Sequence, residues 1–190
     1  MSQLEFNKIQ SLNVKEQGYI IENYSNIFEA YFADNDQEAL VALLKNDIKK
    51  AVISIKEFGI DEIEGYLKKE LIEYEIFSPN HKNIYLIAHS FSENHICKIV
   101  DYFYQVGSIN GIALLCLGDS ISVEFEKVKK NSIIKLFEGE TWIPKCKLSK
   151  NSGCVFLTFD GASLVIVENG NNIFKENKSK KYWMYKGINE

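Results

Sequence analysis

The dipeptide Asp160-Gly161 sits between two apolar runs rich in β-branched and aromatic residues, Cys154 to Phe159 and Ala162 to Val167. It is the strongest local constraint in the chain. A two-residue type I′ turn needs positive φ at both central positions, which Asp-Gly supplies, so the runs are expected to pair as an antiparallel hairpin. Ile121, Val123 and Phe125 alternate with Ser122, Glu124 and Glu126, the period of a half-buried strand. Asn169-Gly170-Asn171-Asn172 is expected to turn the chain toward Ile173-Phe174, and Tyr182 to Tyr185 to add an edge strand. The C-terminal part therefore reads as β-rich.

The N-terminal part carries a different period. Ile20, Tyr24, Ile27, Phe28, Tyr31 and Phe32 recur at helical spacing. Asn35 and Glu38 form a capping-box pattern before a stripe of Leu40, Leu43, Leu44, Ile48, Ala51, Val52 and Ile55, and Gly59 suits a left-handed stop. Asp61 and Glu64 repeat the start signal ahead of Ile63, Tyr66, Leu67 and Leu71, while Pro79 forbids helix through Ser78. Three helices are expected before Pro79. A strand–helix–strand unit follows: Ile84 to Ala88, then a helix capped by Ser92 and ended at Gly107, then Ile112 to Leu117. A crossover of that length favours parallel pairing of its two strands.

Together these signals predict an α+β fold in one domain, residues 1–190. A helical N-terminal layer, residues 1–80, would pack on a mixed β-sheet that includes one β-α-β unit and C-terminal antiparallel hairpins, residues 81–190. The length suffices for one well-buried core.

Composition removes several functions. All 22 basic residues are lysine, so no guanidinium can clamp a phosphate or read guanine in bidentate fashion. There is no phosphate-cradling glycine loop. Lys127, Lys129, Lys130 and Lys135 cluster around one turn, and Lys175, Lys178, Lys180, Lys181 and Lys186 surround Tyr182-Trp183. Lysine interleaved with aromatics suits single-stranded nucleic acid, yet a net charge of −4 and the lack of arginine argue against that footprint. No apolar run reaches membrane length and no secretory signal opens the chain, so a cytoplasmic protein with no membrane partner is expected. Cys97, Cys116, Cys146 and Cys154 show no short metal-type spacing, and His81, His89 and His95 form no zinc motif. No metal and no cofactor are expected, and the cysteines read as packed small hydrophobes.

Two constellations compete for function. If the two crossover strands are parallel, His89-Ser90 and Gly118-Asp119-Ser120 leave their carboxyl ends, where α/β sheets usually bind ligands. His89 beside Asp119 would then act as general base, with Ser120 or Ser90 as nucleophile of a small hydrolase. Ile112 to Ser122 reads IALLCLGDSIS, which is similar to the first block of the SGNH (GDSL-type) hydrolases and would make Ser120 the nucleophile. The similarity stops at that string. The Asp-x-x-His those enzymes carry near the C-terminus has no counterpart, since no histidine follows His95. The chain is therefore not assigned to that family, and no catalytic residue is assigned.

The other constellation is electrostatic. Residues 1–80 hold 15 acidic and 8 lysine side chains, a net of −7, against 11 acidic and 14 lysine side chains beyond, a net of +3. Glu62, Glu64, Glu70, Glu73 and Glu75 crowd one segment, with Tyr66 and Tyr74 as candidate anchors. Such a surface steers and docks a basic protein. The expected function is a non-catalytic protein-binding module, an inhibitor or toxin-neutralising (immunity-type) protein.

Overall fold

The structure is a computed structural model that describes residues 4–32, 36–55, 59–80, 83–118, 120–130, 139–158 and 161–170. In chain order its strands and helices are β1 (Asn7–Ile9), β2 (Ile20–Glu22), β3 (Asn26–Tyr31), α1 (Gln37–Leu44), β4 (Ile48–Ile55), α2 (Ile60–Lys69), β5 (Glu73–Asn80), β6 (Asn83–His89), α3 (Glu93–Gly107), β7 (Ala113–Leu117), β8 (Ser122–Lys130), β9 (Gly139–Lys147), β10 (Ser152–Leu157) and β11 (Ser163–Asn169). Eight strands form one sheet in the order β1-β3-β11-β10-β7-β4-β6-β5, and β2-β9-β8 form a second. Every pairing in the large sheet is antiparallel. The small sheet joins a parallel pair, β2 and β9, to an antiparallel one, β9 and β8.

This corrects the expected helical layer on a mixed sheet. Residues 20–22 and 26–31 are strands, and the apolar stripe beyond Leu44 is β4 rather than a continuation of α1. The reason is burial on two sides. Ala51, Ile53 and Ile55 of β4 face the helices, while Val52 faces the small sheet. A strand covered on both faces loses its alternation, and its apolar positions then also satisfy a helical template. The β-branched content of Ile48, Val52, Ile53 and Ile55 was the local sign of strand. Gly59, expected as a helix stop, instead precedes α2 as its N-cap. Residues 73–80, expected to lie in the helical part of the chain, form the edge strand β5. Pro79 is tolerated there because an edge strand has one side without ladder bonds.

The crossover unit forms with its expected elements. Ser92 is the N-cap of α3, its amide donating to His95 Nδ1 at 3.3 Å, and Gly107 is the helix's last residue. Its two strands, however, are not neighbours. β6 and β7 run in the same direction but both pair antiparallel with β4, which lies between them. β4 and β5 likewise flank β6. The segment β4-α2-β5-β6-α3-β7 is thus an interleaved β-α-β-β-α-β unit, two split β-α-β crossovers sharing one sheet. The remaining four strands of the large sheet extend it beyond β7.

The hairpin stands as expected. Cys154 pairs with Val167, Val155 with Ile166, Phe156 with Val165 and Leu157 with Leu164, the register that centres on Asp160-Gly161. Gly161 has φ +70° and its amide donates to the Thr158 carbonyl at 2.8 Å, whereas Phe159 and Asp160 lie outside the described residues. Asn35, His81, Asp119, Lys135 and residues 171–190 lie outside them too, including the expected strands at 173–174 and 182–185.

Two apolar layers result, one on each face of the large sheet. The helix side buries Leu40, Leu44, Leu67, Ile99 and Phe103 against Ile53, Leu86, Leu115 and Val155. The other side buries Val52, Leu114, Phe156 and Val165 under Tyr19, Ile21 and Leu148. An aromatic cluster fastens the small sheet over the β5-β6 end: Phe77 stacks on Phe125 at 4.1 Å and meets Trp142 edge-on at 5.6 Å. Each such pair adds about 1 kcal/mol beyond its buried area. Asn83 Oδ1 accepts from Thr141 Oγ1 at 2.8 Å and from the Trp142 amide at 3.3 Å, which keys the two sheets together. Among the described residues no helix is long and apolar enough to cross a membrane.

Candidate functional site

A transverse row of polar side chains crosses the large sheet on the face covered by the small one. Register places Glu73 opposite His89, His89 opposite Lys50, Lys50 opposite Cys116, and Cys116 opposite Cys154. The row runs from an exposed carboxylate at the β5 edge to thiols with no solvent exposure. Cys146 of β9 meets the inner end from the small sheet, and the three Sγ atoms lie within 4.8 Å of one another. Period-two alternation explains the placement: Cys116 shares its face with Leu114, and Cys154 with Phe156, all in the same apolar layer.

The electrostatics of the row follow from this geometry. The Cys116 thiol is held well below the usual thiol range, first by hydrogen bonds from Cys146 and Cys154 and further by the nearby charges of Lys50 and His89, while burial opposes the shift. Cys146 and Cys154 are pushed well above that range, chiefly because each donates its proton to Cys116. The three thiols are thus hydrogen-bonded to one another, and their opposite shifts follow from that mutual contact. Lys50 Nζ also donates to the Ile121 carbonyl at 3.2 Å, which anchors it beside the cluster. At the outer end, His89 Nε2 lies 3.3 Å from Glu75 Oε1 without hydrogen-bond alignment.

The residues singled out for catalysis are spread along this edge. His89 ends β6, Ser90 follows it exposed with φ +53°, and Ser120 is exposed beyond β7. β4 separates the two strand ends, which an adjacent parallel pair would have brought together. Among the described residues, the carboxylate within 4 Å of the His89 ring is Glu75, at 3.3 Å.

The acidic residues form a surface, though not on one helix. Glu62, Glu64 and Tyr66 belong to α2, Glu70 is its C-cap, and Glu73, Tyr74 and Glu75 belong to β5. Glu64 accepts from the Tyr74 hydroxyl at 2.8 Å and pairs with Lys68 at 3.1 Å, and these two bonds hold its carboxyl below the usual range. Glu70 lies 3.8 Å from His95 Nε2. Tyr66 is half-buried edge-on against Tyr102 at 5.9 Å, and Tyr74 is also half-buried. The large apolar side chains exposed in this segment are instead Leu71, 89% exposed, and Ile76, 40% exposed.

Three features escaped the sequence. The thiol cluster draws on three strands of two sheets, so no spacing motif could announce it. Leu71 read as part of a buried helical stripe, but α2 ends before it and it takes φ +56°. Cys97, read as packed, is exposed on α3. Compared with known proteins, the chain matches no family model, no curated protein and no solved structure.

Proposed function

We propose that this protein is a non-catalytic protein-binding module that docks a basic protein partner, in the manner of an inhibitor or toxin-neutralising (immunity-type) protein of the cytoplasm. The observation that carries this reading is the surface where α2 runs into β5. Glu70 and the exposed side chain of Leu71 lie where the helix ends, and exposed Glu73, Glu75 and Ile76 follow on β5, the two carboxylates on one face of the strand and Ile76 on the other. Carboxylates of one sign speed encounter with a cation-rich partner, and an apolar side chain desolvated at the centre supplies the affinity. β5 also ends its sheet, so among the described residues one edge of its backbone has no strand beside it. A partner strand can add there, with Glu73 and Glu75 selecting lysine- or arginine-bearing sequences.

The test begins with capture of the partner by the intact chain from its host. Association rates are then measured for the natural chain and for a variant carrying Glu70→Gln, Glu73→Gln and Glu75→Gln, across a salt series. The natural chain should associate fastest at low salt, because exposed charges are screened beyond about 8–10 Å at 0.1–0.15 M ionic strength. The variant should be slower and nearly indifferent to salt. A partner that contacts only residues beyond 81, or a rate unmoved by either change, rejects the reading.

A further inference from the structure

We propose that Cys116, Cys146 and Cys154 form a three-sulfur binding site for one thiophilic metal ion, held between the two sheets. The inference is independent of the acidic docking surface, which lies at the β5 edge.

Three of the chain's four cysteines meet at one point although they come from β7, β9 and β10. Each is buried, and their Sγ atoms lie within 4.8 Å of one another. A metal–sulfur distance of about 2.3 Å puts the sulfurs of a trigonal centre about 4.0 Å apart, a spacing compatible with sulfurs all within 4.8 Å of one another. Thiolates select soft ions, copper(I) and zinc(II) foremost among those stable in a reducing compartment. Among the described residues no fourth histidine, cysteine or carboxylate joins the group. That donor count suits copper(I), which accepts three thiolates in a plane, whereas structural zinc is almost always four-coordinate. Three thiolates carry more negative charge than either ion neutralises, and Lys50, the register neighbour of Cys116, supplies a compensating cation.

Such an ion would be enclosed as the sheets close, so its binding is coupled to folding. It would cross-link β7 and β10 of the large sheet to β9 of the small one.

The experiment uses the whole chain, unfolded in denaturant with reductant and refolded without oxygen, with no metal, with zinc(II), or with copper(I). Bound metal is counted after desalting, and affinity is read by competition with a chromophoric chelator. One ion per chain is expected, with copper(I) retained against a chelator that strips zinc(II). The thermal midpoint should rise in the metal-loaded chain. Cys97→Ser should keep full stoichiometry, whereas Cys116→Ala should lose at least tenfold in affinity. Should Cys116→Ala fail to fold, the midpoint shift of the natural chain decides the matter. Failure to retain either metal, with the same midpoint in all three arms, overturns the proposal. So does loss of metal in Cys97→Ser, or a disulfide between Cys116 and Cys154 in the native chain.

Discussion

The Tyr19 hydroxyl donates to the Ala113 carbonyl at 2.9 Å and accepts from the Ala113 amide at 3.0 Å. One side chain, 2% exposed, thereby satisfies both backbone groups at the start of β7 from 94 residues away. Tyr19→Phe keeps the ring contact with Phe156, centred 4.5 Å away, but leaves that donor and acceptor buried without a partner. The expected loss is about 2–3 kcal/mol, since each orphaned group costs about 1–3 kcal/mol. Urea unfolding should show a lower midpoint with an unchanged slope.

Alkaline pH should unfold the protein through its tyrosines. Burial pushes Tyr85 up to about 12 and Tyr19 higher still, above the ordinary 10.0. A group whose pKa is raised in the fold contributes fully below its unfolded pKa, and loses that contribution as pH rises toward the folded one. Stability should therefore fall from about pH 10 upward, by about 1.4 kcal/mol per pH unit for each tyrosine ionised only when unfolded. Denaturant titrations between pH 8 and about 11.5 measure the slope, and Tyr85→Phe should make it shallower.

The opposite sign applies to Glu64. Tyr74 and Lys68 hold its carboxyl below the ordinary 4.5, so its contribution is present above that value and is lost as pH falls through the folded pKa. Tyr74→Phe removes the stronger of these two hydrogen bonds' effects. A carboxyl-carbon NMR titration should then show the Glu64 midpoint moving up toward 4.5, and an unmoved midpoint would assign the shift to Lys68 alone.

Gly107 fixes how closely α3 approaches β10. A Cβ there would stand 2.7 Å from Leu157 Cδ1 and 3.2 Å from Leu157 Cβ. Gly107→Ala should cost about 1–3 kcal/mol through overpacking, despite alanine's better helix propensity. Combined with Leu157→Ala, the two changes should be less harmful than their separate costs predict, a coupling that a double-mutant cycle reads directly.

What the sequence by itself determined lies where local chemistry and tertiary context agree. α3 begins and ends at its signals, and α2 begins close to its own, because each has one buried face, so the period of Ile63 and Leu67, or of Ile96, Ile99 and Phe103, is undisturbed. The hairpin register of β10 and β11 likewise follows from Asp160-Gly161, whose turn chemistry is local. Tertiary structure alone decided β3 and β4. Their apolar residues are covered by helices on one face and by the small sheet's layer on the other, and a segment buried on both sides has no alternation to read. It also decided that β4 would separate β6 from β7, because which strand fills the gap in a split crossover depends on the pairing of distant segments. The thiol cluster is the extreme case. Cys116, Cys146 and Cys154 look like ordinary apolar-layer residues one at a time, and only the closing of one sheet over another brings their sulfurs to a common point.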